Sequence, residues 1–192
     1  MRAFCLCLTI GVLVSTSAQA AEKTTIVVFQ PWASGTLSSG FKASQRAKGT
    51  CYTHSLSTDR PDAWRCFVGD DILDPCFAPS AHSETVACAK SPFSKSVVLL
   101  SLQEPLARDD NPTTKWLQPK GMPWGLRLSD GGTCVFVTGA TDVVAGDRLN
   151  YACTTTGWII GAPDRSRAQW TARSVPWPNK RITRVSIATA IF

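Results

Sequence analysis

The sequence has few of the residues that catalysis usually needs. Only two of its 192 residues are histidines, His54 and His82. It contains no Gly-x-Ser-x-Gly nucleophile motif, and no Cys-x-x-Cys or His-x-x-x-His pair of the kind that begins a zinc site. Charged residues make up 18% of the chain, which is on the low side for a globular protein. We therefore expect no metal and no cofactor, and the sequence favours a binding protein over an enzyme.

A small extracellular hydrolase is the alternative function, and it would have to use one of the two histidines. His82 is followed by Ser83 and Glu84, and His54 precedes several acidic residues between 59 and 74. Neighbours in sequence rarely face one another in the geometry of a catalytic triad. The simpler interpretation is that both histidines are solvated loop residues.

Three acidic residues, Asp70, Asp71 and Asp74, precede Cys76 and could offer oxygen ligands to calcium. The spacing of an EF-hand loop, with its glycine and final glutamate, is absent. The pattern is more typical of a solvated turn.

The first twenty residues have the features of a signal peptide. Arg2 is followed by an apolar stretch of eleven residues at 4–14, and Ala18-Gln19-Ala20 fits the small-x-small cleavage rule. The apolar stretch is shorter than the roughly 20 residues that span a bilayer, and no later segment is long and apolar enough to do so. We expect a mature protein from about residue 21, exported to the periplasm or the extracellular space.

Export would leave an even number of cysteines, because Cys5 and Cys7 lie within the signal peptide. An even count outside the cytoplasm predicts disulfides, and six cysteines allow fifteen pairings among which the sequence does not choose. Pairs that are local in sequence are favoured. These are Cys51–Cys66, Cys76–Cys88 and Cys134–Cys153.

Short apolar runs bounded by turn residues predict a mainly β fold, a small disulfide-stapled antiparallel sandwich or barrel-like sheet. The predicted strands lie at 23–29, 95–102, 124–128, 133–138, 148–154, 157–160, 167–173 and 181–191. The segment 33–50 is either a flexible linker or one more weak strand, with the strand slightly favoured, and 104–122 is predicted to be a long excursion.

One short helix is predicted near 59–68. Asp59 would cap its N-terminus, Pro61 would occupy the first turn, and Gly69 would close the C-terminus. The expected organisation is a signal peptide (1–20) and one β-rich exported domain (21–192). That domain comprises an N-terminal strand and Gly/Ser-rich segment (21–50), a disulfide-rich helix and loop unit (51–88), and a β-meander (95–192).

Positive charge is concentrated at the C-terminal end. The formal net charge is +6, and from Tyr151 onward six basic residues face one acidic residue, Asp164. Tryptophans interleave with these arginines, and such pairs bind sugar rings and acidic groups. The simpler interpretation is that the tryptophans are core residues and the arginines line solvated strand faces. The candidate binding residues are Trp158, Arg165, Arg167, Trp170, Arg173, Trp177 and Arg181.

A binding function through this C-terminal face would suit an acidic envelope polymer or an acidic protein, and we expect no nucleic-acid partner because the protein is exported. Several blocks of the sequence also resemble a family of uncharacterised exported bacterial proteins. The blocks are 29–32 (FQPW), 60–66 (RPDAWRC), 74–77 (DPCF), 123–126 (PWGL), 148–153 (RLNYAC) and 161–165 (GAPDR). The resemblance implies an exported bacterial domain and no particular activity.

Thiol titration tests the disulfide framework directly. We expect the denatured, non-reduced mature protein to contain no free cysteine, because all six remaining cysteines are paired. Detection of one or more free thiols per chain would contradict the three-disulfide framework.

Overall fold

A computed structural model describes residues 22–106, 121–176 and 181–192 of the chain. Within these ranges the protein consists of strands, turns and loops and contains no helix, so the predicted mainly β, barrel-like fold is confirmed. The predicted signal peptide (1–20), Trp177 and most of the excursion at 104–122 lie outside the described residues. No helix in the described part of the chain is long and apolar enough to cross a membrane.

The first half of the chain forms a closed barrel of five strands. Neighbouring strands are antiparallel, and the barrel closes through a parallel pairing of its first and last strands, from Lys42 opposite Ser96 to Gly49 opposite Leu102. A tightly packed apolar cluster, which includes Val86 and Leu100, fills its interior. The strands are β4 (Lys42–His54), β5 (Ala63–Val68), β6 (Asp71–Phe77), β7 (Thr85–Cys88) and β8 (Ser96–Leu102).

The second half forms a ring of six antiparallel strands. The last of them pairs with the first, from Ile187 opposite Leu128 to Ile191 opposite Gly125. Its interior contains Tyr151, whose hydroxyl donates a hydrogen bond to the Pro123 carbonyl (2.8 Å). The strands are β9 (Gly125–Leu128), β10 (Thr133–Phe136), β12 (Asp147–Cys153), β13 (Trp158–Asp164), β14 (Trp170–Val175) and β15 (Thr183–Ile191).

Four short strands complete the fold. β1 (Thr25–Val27) pairs in parallel with β15, and β2 (Trp32–Ala33) and β3 (Thr36–Leu37) form a hairpin. β11 (Val143–Val144) folds back onto β12 through a tight turn at Ala145 and Gly146, both of which have positive φ. The segment 33–50 therefore contains strands, as the sequence slightly favoured.

The helix predicted near 59–68 is wrong, because Ala63–Val68 is strand β5. Cys66 lies directly opposite Cys51 in an antiparallel pair, which requires an extended chain. The Asp59 carboxylate accepts a hydrogen bond from the distant amide of Gly121 (2.7 Å) and caps no helix. Pairing with both neighbouring strands outweighs the local signals, since aromatic and β-branched residues suit a half-buried strand.

The structure divides the predicted segments differently in two places. The unit at 51–88 contains the last four residues of β4 and the whole of β5, β6 and β7, with no helix among its described residues. β8 matches the strand predicted at 95–102. It pairs with β7 and β4 and so belongs to the first barrel, not to the meander assigned to 95–192. The meander begins at β9.

The disulfides join residues that lie directly opposite each other on paired strands. The predicted local pairing is confirmed: Cys51–Cys66, Cys76–Cys88 and Cys134–Cys153 are bonded. In each case the bond closes a short loop of chain, of separation 15, 12 and 19 residues. Cross-links of this kind stabilise the fold mainly by restricting the unfolded chain, and they fit an oxidising environment.

The two barrels share one apolar core. Phe29, from the segment after β1, lies at its centre, with ring centroids 5.1 Å from Phe41, 5.1 Å from Phe77 and 5.2 Å from Trp124. The buried members of this joint core come from both halves of the chain: Phe29, Phe41, Ala63, Phe77, Ala87, Ala89, Val97, Leu99, Trp124 and Ile191.

Arg60 ties the edges of this joint core together. Its guanidinium forms a two-point ion pair with Asp62 (2.9 and 2.5 Å) and donates hydrogen bonds to the backbone carbonyls of Phe29 and Phe192. It also lies over the Phe77 ring, 4.7 Å from the centroid. One side chain of the first barrel therefore holds both the N-terminal segment and the C-terminal residue.

Substitution of Phe29 tests the shared core. Phe29→Ala is expected to lower the free energy of unfolding by about 3–5 kcal/mol, because it opens a cavity between the two barrels. Val28→Ala is the matched control: Val28 is 52% exposed, and surface changes of this kind stay within about 0.5 kcal/mol. Urea unfolding measures both, and a loss below about 1 kcal/mol for Phe29→Ala would contradict the shared core.

Candidate binding surface

Strand register places two of the candidate residues, Trp158 and Arg173, in rows of side chains across the outer side of β13, β14 and β15. We call this side the outer face. One row pairs Trp158 with Val175. The next runs from Ile160 through Arg173 to Arg184. The third row contains Asp164, Thr171 and Ser186. Alternate residues of a strand point to the same side, so an apolar, a basic and a polar row follow one another on this face.

The basic row places two guanidinium groups next to each other. Arg173 and Arg184 are directly opposite on adjacent strands, where like charges repel. Each is partly neutralised by its own acid: Arg173 forms an ion pair with Asp147, and Arg184 with Asp164 (3.1 Å). Arg184 also donates to the Thr171 hydroxyl (3.0 Å).

Both ion pairs are open to solvent and therefore weak. The side chains of Arg173 and Arg184 are 42% and 64% exposed, and exposed pairs contribute about 0–1 kcal/mol. Hydrogen bonds from Ser166 and from the Arg184 guanidinium hold the pKa of Asp164 below its ordinary value. Each guanidinium has five N–H donors, so both retain donors for an external anion.

A polar depression of about 450 Å³ adjoins the Arg184 end of the outer face. It is lined by Asp164, Ser166, Arg167, Gln169, Thr171 and Arg184. Arg167 is exposed, and within the described ranges its guanidinium has no ion pair or hydrogen bond. This side chain is therefore available to an external anion.

An apolar groove of about 860 Å³ lies at the opposite end, beside Trp158. Its walls come from the loop between β10 and β11, from β11 and β12, and from the ends of β13 and β14. The lining residues are Val137, Ala140, Thr141, Asp142, Val143, Val144, Leu149, Trp158 and Val175. Trp158 is partly exposed and packs on a small buried cluster of Leu149, Ile160 and Val175. The ring therefore has a fixed position with one side facing solvent.

The structure brings together only part of the set predicted from the sequence. Trp158, Arg167 and Arg173 lie on or beside the outer face. Trp170 packs against the interior of the second barrel, and Arg165 covers it at 4.5 Å from the ring while donating to the Gly121 carbonyl. Arg181 is exposed just before β15, and Trp177 lies outside the described residues.

Arg184 and Asp147 are important residues of this surface that the predicted set omits. Arg184 joins the surface because it lies opposite Arg173, and Asp147 because its carboxylate reaches Arg173 from β12. The clean alternation of β15 in the sequence does place Arg184 on the solvated side of that strand. The cross-strand partner, however, depends on register, which alternation alone does not fix.

The structure separates Asp74 from the other two acidic residues that were considered as calcium ligands. Asp70 and Asp71 are exposed at the β5–β6 turn, whereas the Asp74 carboxylate accepts hydrogen bonds from the Ser55 hydroxyl and from the Leu56 amide (3.0 Å). Burial raises the pKa of Asp74 above its ordinary value, against the opposing effect of these hydrogen bonds. Asp74 thus holds the 55–57 loop in place.

The histidines lie in separate surroundings. His54 stacks on Trp64, with ring centroids 4.4 Å apart. His82 is exposed beside a cavity of about 380 Å³ that includes Ser83 and Glu84. The Ser83 hydroxyl donates to the Thr85 carbonyl (2.6 Å) and accepts from the Thr85 amide (3.1 Å). Its proton is engaged in a local turn, so this loop does not present an activated serine.

The sulfur atoms of Cys66, Cys76 and Cys88 lie within 4.8 Å of one another in the first barrel. All three belong to disulfides, and a disulfide sulfur has no thiolate to offer a metal.

Comparisons with protein-family models, with curated proteins and with solved structures find no match for this chain.

The buried carboxyl of Asp74 has a measurable effect on the pH dependence of stability. Because its pKa is raised in the folded state, the folded protein binds a proton more tightly than the unfolded chain. The contribution of Asp74 to the free energy of unfolding must then fall as pH rises above about 4, the ordinary pKa of an aspartate. We expect the stability difference between wild type and Asp74→Asn to decrease over that range in urea unfolding. An increase with pH would contradict the assignment.

Proposed function

We propose that the protein is an exported binding protein without catalytic activity, located in the periplasm or the extracellular space, that recognises an acidic envelope polymer through the outer face of β13–β15. The observation that supports this most is the adjacent, solvent-exposed pair Arg173 and Arg184, with Trp158 at one end and Arg167 at the other.

Arginine suits this role for geometric reasons. The planar guanidinium offers a fixed fork of donors that matches carboxylate, sulfate and phosphate groups. Arg173 and Arg184 lie side by side on neighbouring strands, which are about 4.8 Å apart. Successive acidic groups of a flexible polymer could each meet one guanidinium, while the weak internal ion pairs adjust at small cost.

The distribution of charge supports an acidic ligand. Of the formal net charge of +6, the segment from Tyr151 onward contributes six basic residues against a single acid. A positive region on one part of a protein accelerates its encounter with acidic partners. The three disulfides support export, because bonds of this kind persist in oxidising compartments.

Charge reversal on the outer face tests the proposed function. Dextran sulfate is the probe, because its charge does not change with pH. Arg173→Glu/Arg184→Glu is expected to weaken its binding about tenfold or more in isothermal titration calorimetry, since two charge-assisted hydrogen-bonding sites are lost. The dependence of affinity on salt should also become shallower.

Matched variants separate the outer face from net charge alone. Lys23→Glu/Lys90→Glu reverses two exposed charges elsewhere and should lose much less affinity. Asp164→Asn should bind dextran sulfate more tightly than wild type, because it releases Arg184 from its internal partner. Equal losses in the two charge-reversed proteins, or no loss in Arg173→Glu/Arg184→Glu, would refute the proposed surface.

A further inference from the structure

A second exposed surface, on the first barrel, combines aromatic and basic side chains. The rings of Tyr52 and Phe67 stack with centroids 4.6 Å apart and an angle of 15° between their planes. They are 42% and 36% exposed, and Ile72, directly opposite Phe67, is 49% exposed. We call these three residues the aromatic stripe. It crosses β4, β5 and β6.

The stripe exists because of an irregularity in β4. The pairing of β4 with β5 shifts between Cys51 and Thr53, so Tyr52 is an extra residue with no direct partner. Cys51 is bonded to Cys66, next to Phe67. The disulfide and the bulge together fix the two rings beside each other, which is a known way in which bulges redirect a side chain.

Basic residues continue this surface along β4. On β4, Lys48, Thr50 and Tyr52 alternate with the buried Gly49 and Cys51. Arg46 is separated from Lys48 by the half-buried Ala47, so Arg46 and Lys48 point to the same side as Thr50 and Tyr52. Both are exposed, and neither forms an ion pair or hydrogen bond with any residue that the structure describes. We call Arg46 and Lys48 the Arg46–Lys48 track. The distance along β4 from Arg46 to Tyr52 is about 20 Å, at about 3.3 Å per residue.

Cross-strand packing alone explains only part of this arrangement. An aromatic pair stabilises a sheet, but that role does not require a third large apolar side chain beside it or a row of unpaired cations leading to it. Contiguous exposed apolar groups rimmed by polar residues mark binding sites more often than isolated ones do. The combination fits a linear ligand that has both rings and negative charges.

We propose that the aromatic stripe and the Arg46–Lys48 track form a binding surface for an acidic polysaccharide. The cations would meet its carboxylates or sulfates, and the stripe would pack on the C–H face of a sugar ring. Nucleobases stack on open aromatic faces. Tyr52 and Phe67 each use one ring face to stack on the other, and Ile72 has no aromatic ring, so the stripe suits a sugar ring better than a nucleobase. The proposal concerns a different barrel from the outer face of β13–β15 and does not depend on the function proposed there.

Polygalacturonate, an acidic polysaccharide, is the probe for this surface, with uncharged dextran as its neutral counterpart. The experiment uses the full mature chain carrying Arg173→Glu/Arg184→Glu, so that the outer face does not contribute. In this background we expect polygalacturonate to bind and dextran to bind much more weakly. Adding Tyr52→Ala/Phe67→Ala should weaken binding about tenfold, the scale of losing stacked aromatic contacts.

Two further variants separate ring contact from folding and from charge. Tyr52→Phe/Phe67→Tyr retains both rings and should bind within about twofold of its parent. Arg46→Gln/Lys48→Gln should weaken binding and reduce its dependence on salt, because two cationic contacts are lost. Val28→Ala, which alters an exposed apolar residue that lies on neither surface (52% exposed), is the control and should leave affinity unchanged.

Several results would overturn this proposal. They are the absence of polygalacturonate binding in the Arg173→Glu/Arg184→Glu background, unchanged affinity in Tyr52→Ala/Phe67→Ala, or equal losses in the ring-retaining exchange. Tighter binding of oligothymidylate than of polygalacturonate would assign the surface to nucleic acid instead. Dextran sulfate binding to the outer face is measured in an Arg46→Gln/Lys48→Gln background, which removes the cations of the first barrel, so either proposal can fail while the other stands.

Discussion

The structure depends on the contact of Phe29 with both barrels and on the Arg60 guanidinium that fastens its edges. The apolar surfaces where the two barrels meet are buried jointly, because Phe77 of the first barrel and Trp124 of the second both pack against the Phe29 ring. Arg60 then binds the carbonyls of Phe29 and Phe192, so the segment after β1 and the residue after β15 meet at one side chain. An arginine so engaged is also protected from the cost of burying an unpaired charge. The two barrels consequently act as one support for the surfaces they carry.

The disulfides also hold parts of the fold together, but they join strands that are close in the sequence. Each closes a loop of fewer than twenty residues between strands that already pair, and a loop of about 15 residues contributes on the order of 3 kcal/mol. Their positions also matter for function. Cys51–Cys66 lies next to both rings of the aromatic stripe, which keeps exposed aromatic groups in place without a surrounding core. The outer face needs no such bond, because β13, β14 and β15 are paired along most of their length.

Sequence patterns predicted the features that are local. The strands predicted at 124–128, 133–138 and 181–191 and the three short-range disulfides are each contained in one stretch of chain. The helix near 59–68 was predicted incorrectly, because an N-cap, a proline and a glycine occur at strand ends as well. β4 was hard to recognise since its outward side chains are polar and its pairing with β8 is distant in sequence. The partnership of Arg173 with Arg184 and the bulge at Tyr52 depend on register, which residue types alone do not determine.

The central claim is that acidic ligands bind on the outer face of β13–β15, and chemical-shift mapping of the isotopically labelled protein tests it most directly. On addition of dextran sulfate, the account predicts that backbone amide shifts change most at Arg167, Arg173 and Arg184. The amides of Val86 and Leu100, in the interior of the first barrel, should remain unchanged. Shift changes spread evenly over all exposed basic residues, or confined to positions away from this face, would contradict the claim.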